Sequence, residues 1–394
     1  MINWGRTFDF ALPTKIVFGP GTAGQAAREL AAIGGGRPIV VTDKGIVASG
    51  LLAAVLAPLK EARIAYKVYD GVEANPKDKN VEECAKAAKE FGADSIVAVG
   101  GGSAIDCAKS AGVLLAHGAE YIKPFEGKTA ATKRQPPFIA VPTTAGTGSE
   151  ITFSSVITDT KNHYKMTIKS TFTAANTAIC DPLLTLSKPA PLTAATGVDA
   201  LTHAIEGFTV NCNEPLADAA ALYAIELIWQ NLAKAVQDGS DLDARSGMLM
   251  GSVLAGIAFS HADVGSVHCI AESLGGTYDL PHGVCNAIFL PYVMEYNMDY
   301  CRERYARVAR AMGLSFGSDA EGAELAVCSV KQLVRELRLP AFSSLLVAPE
   351  QDTFGALAVL SVRNSSNASN PRPMTEQDYM QVLENAWNDR TNDL

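Results

Sequence analysis

Ser95-Ile96-Val97-Ala98-Val99-Gly100-Gly101-Gly102-Ser103 is a buried-strand pattern that stops in a glycine run and passes directly into the helical pattern Ala104 to Leu115. Strand, glycine run and helix together make a cradle for phosphate. Backbone N–H groups point outward, the helix N-terminus is partly positive, and only glycine lets the backbone come close to a pyrophosphate. The run is not Gly-x-Gly-x-x-Gly, so the usual dinucleotide fingerprint is absent. A tight strand-to-helix turn without a ligand is the other reading of the same residues.

The flanking chain repeats the pattern. Ile16-Val17-Phe18 reads as a short strand before the turn Gly19-Pro20-Gly21, and Ala23 to Ile33 as a helix ended by glycines. Pro38-Ile39-Val40-Val41-Thr42 is another apolar strand, followed at once by Asp43. A carboxylate at the carboxyl end of a parallel strand can accept hydrogen bonds from a ribose and repel a 2′-phosphate, favouring NAD over NADP. Capping the next helix is the equal alternative. Leu51 to Ala62 reads as a helix and Ile64 to Tyr69 as a strand; Asn75-Pro76 is a turn, and Asn80 is expected to cap a helix from Val81 to Phe91. Phe138-Ile139-Ala140-Val141-Pro142 is a further strand, leading into Thr143-Thr144-Ala145-Gly146-Thr147-Gly148-Ser149-Glu150. Hydroxyls and glycines at a strand end give a second place to hold phosphate or ribose, expected on the same sheet edge as the first. Val156 to Asp159 and Tyr164 to Lys169 read as a hairpin; Lys165 could reach a phosphate or ribose, or simply be solvated.

The texture changes between Asp181-Pro182 and Lys188-Pro189-Ala190-Pro191, and strand patterns fade beyond it. The fold expected is an α/β dinucleotide-binding domain with a parallel, Rossmann-like sheet over residues 1–186, then an all-helical domain over residues 187–394. Helical periodicity marks Ala195–Asn211, Pro215–Asp238, Leu242–Phe259, Val264–Gly275, Val284–Tyr296, Arg302–Met312, Ala320–Leu337, Asp352–Val359 and Thr375–Asp389. Within the first of these, Gly197-Val198-Asp199-Ala200-Leu201-Thr202-His203-Ala204-Ile205-Glu206 places Asp199 and His203 four apart on one face, with a helix start at Thr196 or Gly197. His268 and His282 follow; four of the chain's six histidines, His203, His261, His268 and His282, fall in one short part of the sequence. One carboxylate oxygen and three imidazole nitrogens suit Fe(II) or Zn(II). Taken singly, the same residues read as an i,i+4 surface pair, a satisfied helix histidine and a turn residue.

Composition excludes other classes. The 394 residues are 48% hydrophobic and 19% charged, wrong for a disordered chain. The net charge of −9 argues against nucleic acid and anionic membranes as partners. No basic segment followed by an apolar run opens the chain and no apolar stretch reaches spanning length, so neither a secretory signal nor a span is expected. The eight cysteines form no Cys-x-x-Cys pair and read as reduced thiols of a cytoplasmic protein.

In combination these motifs resemble the iron-containing (group III) alcohol dehydrogenase family. The likeness is carried by Gly100-Gly101-Gly102-Ser103 with Asp106, by Pro142 to Glu150, by Gly197 to Glu206 and by Pro281-His282-Gly283, and it covers essentially the whole chain. It implies a nucleotide domain followed by a helical metal domain, with the active site in the cleft between, and a homodimer or larger homo-oligomer. It further implies metal ligation by Asp199, His203, His268 and His282, exclusion of NADP by Asp43, and cofactor contacts from Asn75, Gly101, Gly102, Ser103, Thr143, Thr144, Thr147, Ser149 and Lys165. The implied reaction is NAD(H)-linked interconversion of a primary alcohol and an aldehyde, with Fe2+ or Zn2+.

Two departures stand out. Many family members carry a second histidine four residues after the third ligand, where this chain has Glu272. The stretch usually like Ser-Asn-Ala-Gly-Leu-Gly here reads Ser260-His261-Ala262-Asp263-Val264-Gly265. His261 and Glu272, near His268 in sequence, are the candidate proton carriers. Phe153 and Phe259, with His261, are expected to line the substrate, the alternative for the two phenylalanines being core packing. His261 and Arg372 would suit a carboxylated or sulfonated aldehyde. A polyol dehydrogenase and a non-catalytic metal- and NAD-binding subunit are the remaining readings.

Overall fold

The structure, a computed structural model, describes residues 7–212, 214–346 and 353–389. The chain forms two compact units, Ala11–Ser187 and a second in which residues 7–10 join Lys188–Leu394.

In the first unit the sheet is β1 (Lys15–Phe18), β2 (Pro38–Val41), β3 (Lys67–Tyr69), β4 (Ser95–Gly100), β5 (Phe138–Pro142) and β8 (Thr177–Cys180), with spatial order β1-β8-β5-β4-β2-β3 and every pairing parallel. β6 (Ser154–Asp159) and β7 (Tyr164–Lys169) pair separately as an antiparallel hairpin. The Val/Ile runs are buried on both faces, as a parallel sheet between helices requires. Ile39, Val41, Ile96, Ala98, Phe138 and Ala140 pack on one side, and Val40, Val97, Val99, Ile139 and Val141 on the other. Crossovers supply α1 (Ala26–Ala32), α2 (Lys44–Ala48), α3 (Ala53–Glu61), α4 (Asp78–Phe91) and α5 (Gly102–His117).

Three local expectations are corrected. Asn80 does not cap α4: the helix begins at Asp78, and Asn80, two residues in, accepts from the Lys77 N–H at 2.9 Å. Thr22–Gln25 is a 3-10 turn ahead of α1, not its first turn. β8, which carries no strand expectation in the sequence, lies between β1 and β5; four residues are too few for periodicity to declare. Asp181 anchors it, accepting from Gly21 and Ala23 N–H groups at 3.1 and 3.0 Å.

The second unit is helical: α6 (Ala190–Thr209), α7 (Pro215–Gln237), α8 (Leu242–Ala262), α9 (Ser266–Tyr278), α10 (His282–Ala311), α11 (Asp319–Glu336), α12 (Phe342–Leu345), α13 (Thr353–Arg363) and α14 (Glu376–Asn388). α6 starts six to seven residues before the expected Thr196 or Gly197, because Pro191 falls in its first turn, where the missing N–H costs no bond. α10 is continuous where two helices were expected; Pro291 lies inside it, and no break follows Tyr296. α8 runs on through His261. Among the described residues no single helix is long and apolar enough to cross a membrane.

Candidate metal centre

Asp199 and His203 share a face of α6 and are buried, at 2% and 5% exposure. His268 comes from the first turns of α9, and His282 is the first residue of α10, after the N-cap Pro281. Gly283 makes that approach possible: a Cβ there would lie 2.9 Å from the Ala195 carbonyl oxygen and 3.3 Å from Asp199 Cβ. One donor atom from each of Asp199, His203, His268 and His282 lies within 4.8 Å of the others. Donors about 2.0–2.2 Å from one shared cation lie roughly 3–4 Å apart, so the set is compact enough for a single ion.

The hydrogen bonding sets the chemistry of these donors. The carboxylate of Glu206, three residues after His203, accepts from His268 Nδ1 at 2.5 Å and from the Val267 N–H at 2.8 Å. With the proton on Nδ1, the lone pair of His268 Nε2 faces the cluster, the orientation that a carboxylate behind a histidine fixes in metal sites. His203 Nε2 lies 3.0 Å from it. The Asn286 amide, one turn after His282, donates to Asp199 Oδ1 at 2.6 Å and lies 3.1 Å from both His268 Nε2 and His282 Nε2. One NH2 group is thus shared by three acceptors, while the buried Nδ1 of His203 has no hydrogen-bond partner. Acceptors outnumber donors, and a divalent cation fits that imbalance.

The two facing histidines shift in opposite directions. Burial pushes His203 down to about 4, against the pull of Asp199. Burial also opposes charge on His268, but the Glu206 carboxylate, with Asp199 and Glu272, outweighs it and raises the pKa.

Around the cluster, Phe259 stacks on His203 with ring centroids 4.3 Å apart. His261 donates Nδ1–H to the Ile257 carbonyl at 2.8 Å, and its ring stacks on Phe10 at 4.0 Å. Glu272 accepts from Asn364 Nδ2 at 2.6 Å. Arg372, expected as a partner for an anionic substrate, donates to the Tyr296 carbonyl at 3.0 Å, with its guanidinium 3.9 Å from that ring. The sequence reading gave no role to Glu206, Asn286 or Asn364. Spacing could have raised the first two: Glu206 is i+3 from His203, and Asn286 is i+4 from His282.

In the α/β unit, the ends of β2, β4 and β5 bring Asp43, Gly100–Gly102 and Thr143–Thr144 to one edge of the sheet. Gly101 caps α5, and a Cβ on Gly102 would lie 2.7 Å from Thr147 Cγ2 and 2.8 Å from its Oγ1, so the two loops meet through glycine. Ser103 and Thr144 are half-buried. Asp43 Oδ1 caps α2 through the Ile46 N–H at 2.9 Å, and Oδ2 faces the glycine run, 3.5 Å from where a Gly100 Cβ would stand. Lys165 donates to Asn75 Oδ1 at 2.9 Å, so two expected cofactor contacts meet each other. Thr143 is fully buried. Ser149 turns inward, donating to Asp106 at 2.5 Å and accepting from Lys109 at 3.1 Å. Phe153 lies at the head of β6, its ring 5.7 Å from Lys169 Nζ.

Known proteins bear on this geometry. The family description "Iron-containing alcohol dehydrogenase" matches residues 13–182, and "Fe-containing alcohol dehydrogenase family, C-terminal" matches residues 193–387. The chain is 41% identical over 386 residues to the 1,3-propanediol dehydrogenase of Citrobacter freundii, covering 97% of this chain and 99% of that one. It is 36% identical over 383 residues to a choline dehydrogenase of Bacillus subtilis (strain 168), covering 96% and 95%. A crystal structure of a 1,3-propanediol oxidoreductase superposes with TM-score 0.93 at 39% identity, covering 97% of this chain and all of that one. The chain belongs to the iron-containing alcohol dehydrogenase family, and its activity is that of a metal-requiring, NAD(H)-dependent alcohol oxidoreductase.

Proposed function

We propose that this protein interconverts a small primary alcohol or diol and its aldehyde with NAD(H), holding an Fe2+-type ion through Asp199, His203, His268 and His282. The observation that carries the reading is the convergence of those four donors within 4.8 Å, with Glu206 fixing the tautomer of one of them. When bound, the ion supplies Lewis acidity at the substrate oxygen, and the nicotinamide takes or gives the hydride. The chain's own residues orient and exclude water. Phe259, stacked on His203, walls the substrate. Asn75, Gly101, Gly102, Ser103, Thr144, Thr147 and Lys165 hold the cofactor, with Thr143 and Ser149 shaping the loop from behind, and Asp43 disfavours a 2′-phosphate. His261 accepts the proton: its Nδ1–H is committed to Ile257, so Nε2 carries the basic lone pair. Glu272 is the second candidate for that duty. The eight free thiols support a reducing, cytoplasmic setting, and homo-oligomeric assembly is proposed on the family resemblance.

The test is an NADH-oxidation screen over short aldehydes with Fe(II), Zn(II) or chelator added. Turnover that follows the metal is expected. Turnover that ignores the chelator, or none with any aldehyde in the metal-loaded protein, would overturn the reading. Full activity and an unchanged pH profile in both His261→Ala and Glu272→Gln would remove the two proton carriers.

A further inference from the structure

We propose that the buried pair Asp106 and Lys109 positions the cofactor: through Ser149 it sets the Thr147 hydroxyl that meets the nicotinamide half of NAD(H). The inference rests on the cofactor reading above.

The arrangement begins with spacing. Gly102, Asp106 and Lys109 stand at i, i+4 and i+7 on α5, so they share one face of the helix. That face meets a single stretch of chain in step. A Cβ on Gly102 would lie 2.7 Å from Thr147 Cγ2. One turn on, Asp106 accepts from the Ser149 hydroxyl at 2.5 Å and from the Val156 N–H at 3.0 Å. Lys109, fully buried, donates to Ser149 Oγ, Thr152 Oγ1 and the Ser154 carbonyl. A buried ion pair stabilises less than apolar packing of the same volume, but it fixes geometry, and here both charges hold one loop.

Ser149 is used up by these bonds. Its hydroxyl proton goes to Asp106, its Oγ accepts from Lys109, and its N–H donates to Thr147 Oγ1 at 3.2 Å. With no proton left for a ligand, it acts through Thr147. Thr147 is half-buried and accepts at Oγ1, so its own O–H proton points away from Ser149 and is left for a ribose or phosphate oxygen. Gly148 between them has φ 58°, in the left-handed region that favours glycine, at the point where the chain turns inward to Ser149.

The strand order says which part of the cofactor feels this. β2, β4 and β5 are neighbours in that order and carry Asp43, the glycine run and the loop of residues 143–149. With the adenosine ribose at Asp43 and the pyrophosphate at the glycine run, the nicotinamide half falls to the loop after β5.

The experiment measures Kd for NADH by fluorescence and Kd for ADP by calorimetry in the metal-loaded protein. ADP probes Asp43 and the glycine run alone. Ser149→Ala and Asp106→Asn are each expected to weaken NADH about tenfold and ADP by less than about twofold. In turnover the loss should fall on KM for NADH, with kcat and KM for the aldehyde kept. Thr147→Val should weaken NADH to the same extent, and the double variant Thr147→Val with Ser149→Ala should lose no more than either alone, because one acts through the other. Ser110→Ala is the structural control: it removes the 2.8 Å hydroxyl contact with Ser155, which ties α5 to β6 without reaching the loop. It should lower the melting midpoint and leave both Kd values unchanged. NADH binding unchanged in Ser149→Ala and Asp106→Asn, ADP weakened as much as NADH, or additive losses in the double variant would each overturn the proposal and leave the cofactor reading standing. A native protein that binds no NADH would overturn that reading, and the proposal with it.

Discussion

Each unit buries a cluster of ionisable groups, and the two clusters are balanced in opposite ways. In the α/β unit, the Lys109 ammonium donates to Ser149 Oγ, Thr152 Oγ1 and the Ser154 carbonyl at 3.1, 2.9 and 2.8 Å. Asp106 accepts from Ser149 and from the Val156 N–H. Opposite charges are supplied by the chain itself, and Glu150 Oε1 is left without a hydrogen-bond partner. In the helical unit, Asp199, His203, His268 and His282 converge, Asn286 supplies one NH2 group to Asp199, His268 and His282, and His203 Nε2 faces His268 Nε2 across 3.0 Å. In the first cluster Lys109 and Asp106 find their partners within the chain. The second is short of positive charge, and that shortage marks it as the place for an ion.

The difference breaks most sharply in ligand removal. His268→Ala should lower metal content and NADH-dependent turnover together, the latter on the order of a thousandfold, since the lost Lewis acid is worth several kcal/mol in the transition state. Retention of both metal and activity would refute the ligand set.

The first cluster should answer in stability. Burial lowers the Lys109 pKa to about 8 and raises that of Glu150 to about 7, so this charge is costly to bury and held by its partners. Lys109→Met strands Asp106 and three oxygen acceptors, and breaking a buried pair this way costs roughly 3–5 kcal/mol. The denaturation midpoint should fall while metal stoichiometry in the surviving native protein stays unchanged. A midpoint shift absent in Lys109→Met but present with metal loss would reverse the two roles.

How much of this was legible depended on chain distance. The parallel sheet could be read because β2, β4 and β5 are continuous apolar runs, and the four donors because Asp199 and His203 sit at helical spacing in a histidine-rich region. Lys109 was passed over although it is i+3 from Asp106, since nothing local shows that β6 folds back onto α5. β8 is too short for a pattern, and its place in the sheet is fixed by Asp181 bonding to residues 158 and 160 positions away. The split of α10 after Tyr296 failed for a related reason: its polar stretch weakens the apolar stripe while the backbone continues. That residues 7–10 belong with the helical unit, where Phe10 stacks on His261, has no sequence signal at all.

A smaller effect sharpens the open cluster by pH. In metal-free protein, His203 falls from an ordinary 6.5 to about 4 because burial disfavours its charge. Its neutral form therefore contributes stability that is present above 6.5 and lost as pH falls through 4, roughly 3 kcal/mol in all. His268 is raised, so its contribution has the opposite sign: present below 6.5 and lost as pH rises through the raised value. Thermal melts of metal-free His203→Asn should lose the acid-side decline, and those of His268→Asn the decline on the other side. Bound metal should steepen the acid-side decline and remove the one on the other side, because ligation needs both nitrogens unprotonated. Identical profiles with and without metal would mean that the cluster is closed after all.

The smallest effect concerns Asp43, where two readings of one residue coexist. Oδ1 caps α2, while Oδ2 faces the glycine run. Asp43→Ala removes both functions, costing about 1 kcal/mol for the cap and the charge that repels a 2′-phosphate. Asp43→Asn separates them, because asparagine caps as well as aspartate but carries no charge. If the charge selects the cofactor, both variants should shift the NADP(H)/NAD(H) ratio of kcat/KM upward by about tenfold, and the alanine variant alone should melt earlier. If Asp43→Asn leaves the ratio where it was, the residue is a cap and nothing more, and the choice of NAD must be made by a group elsewhere along that edge of the sheet.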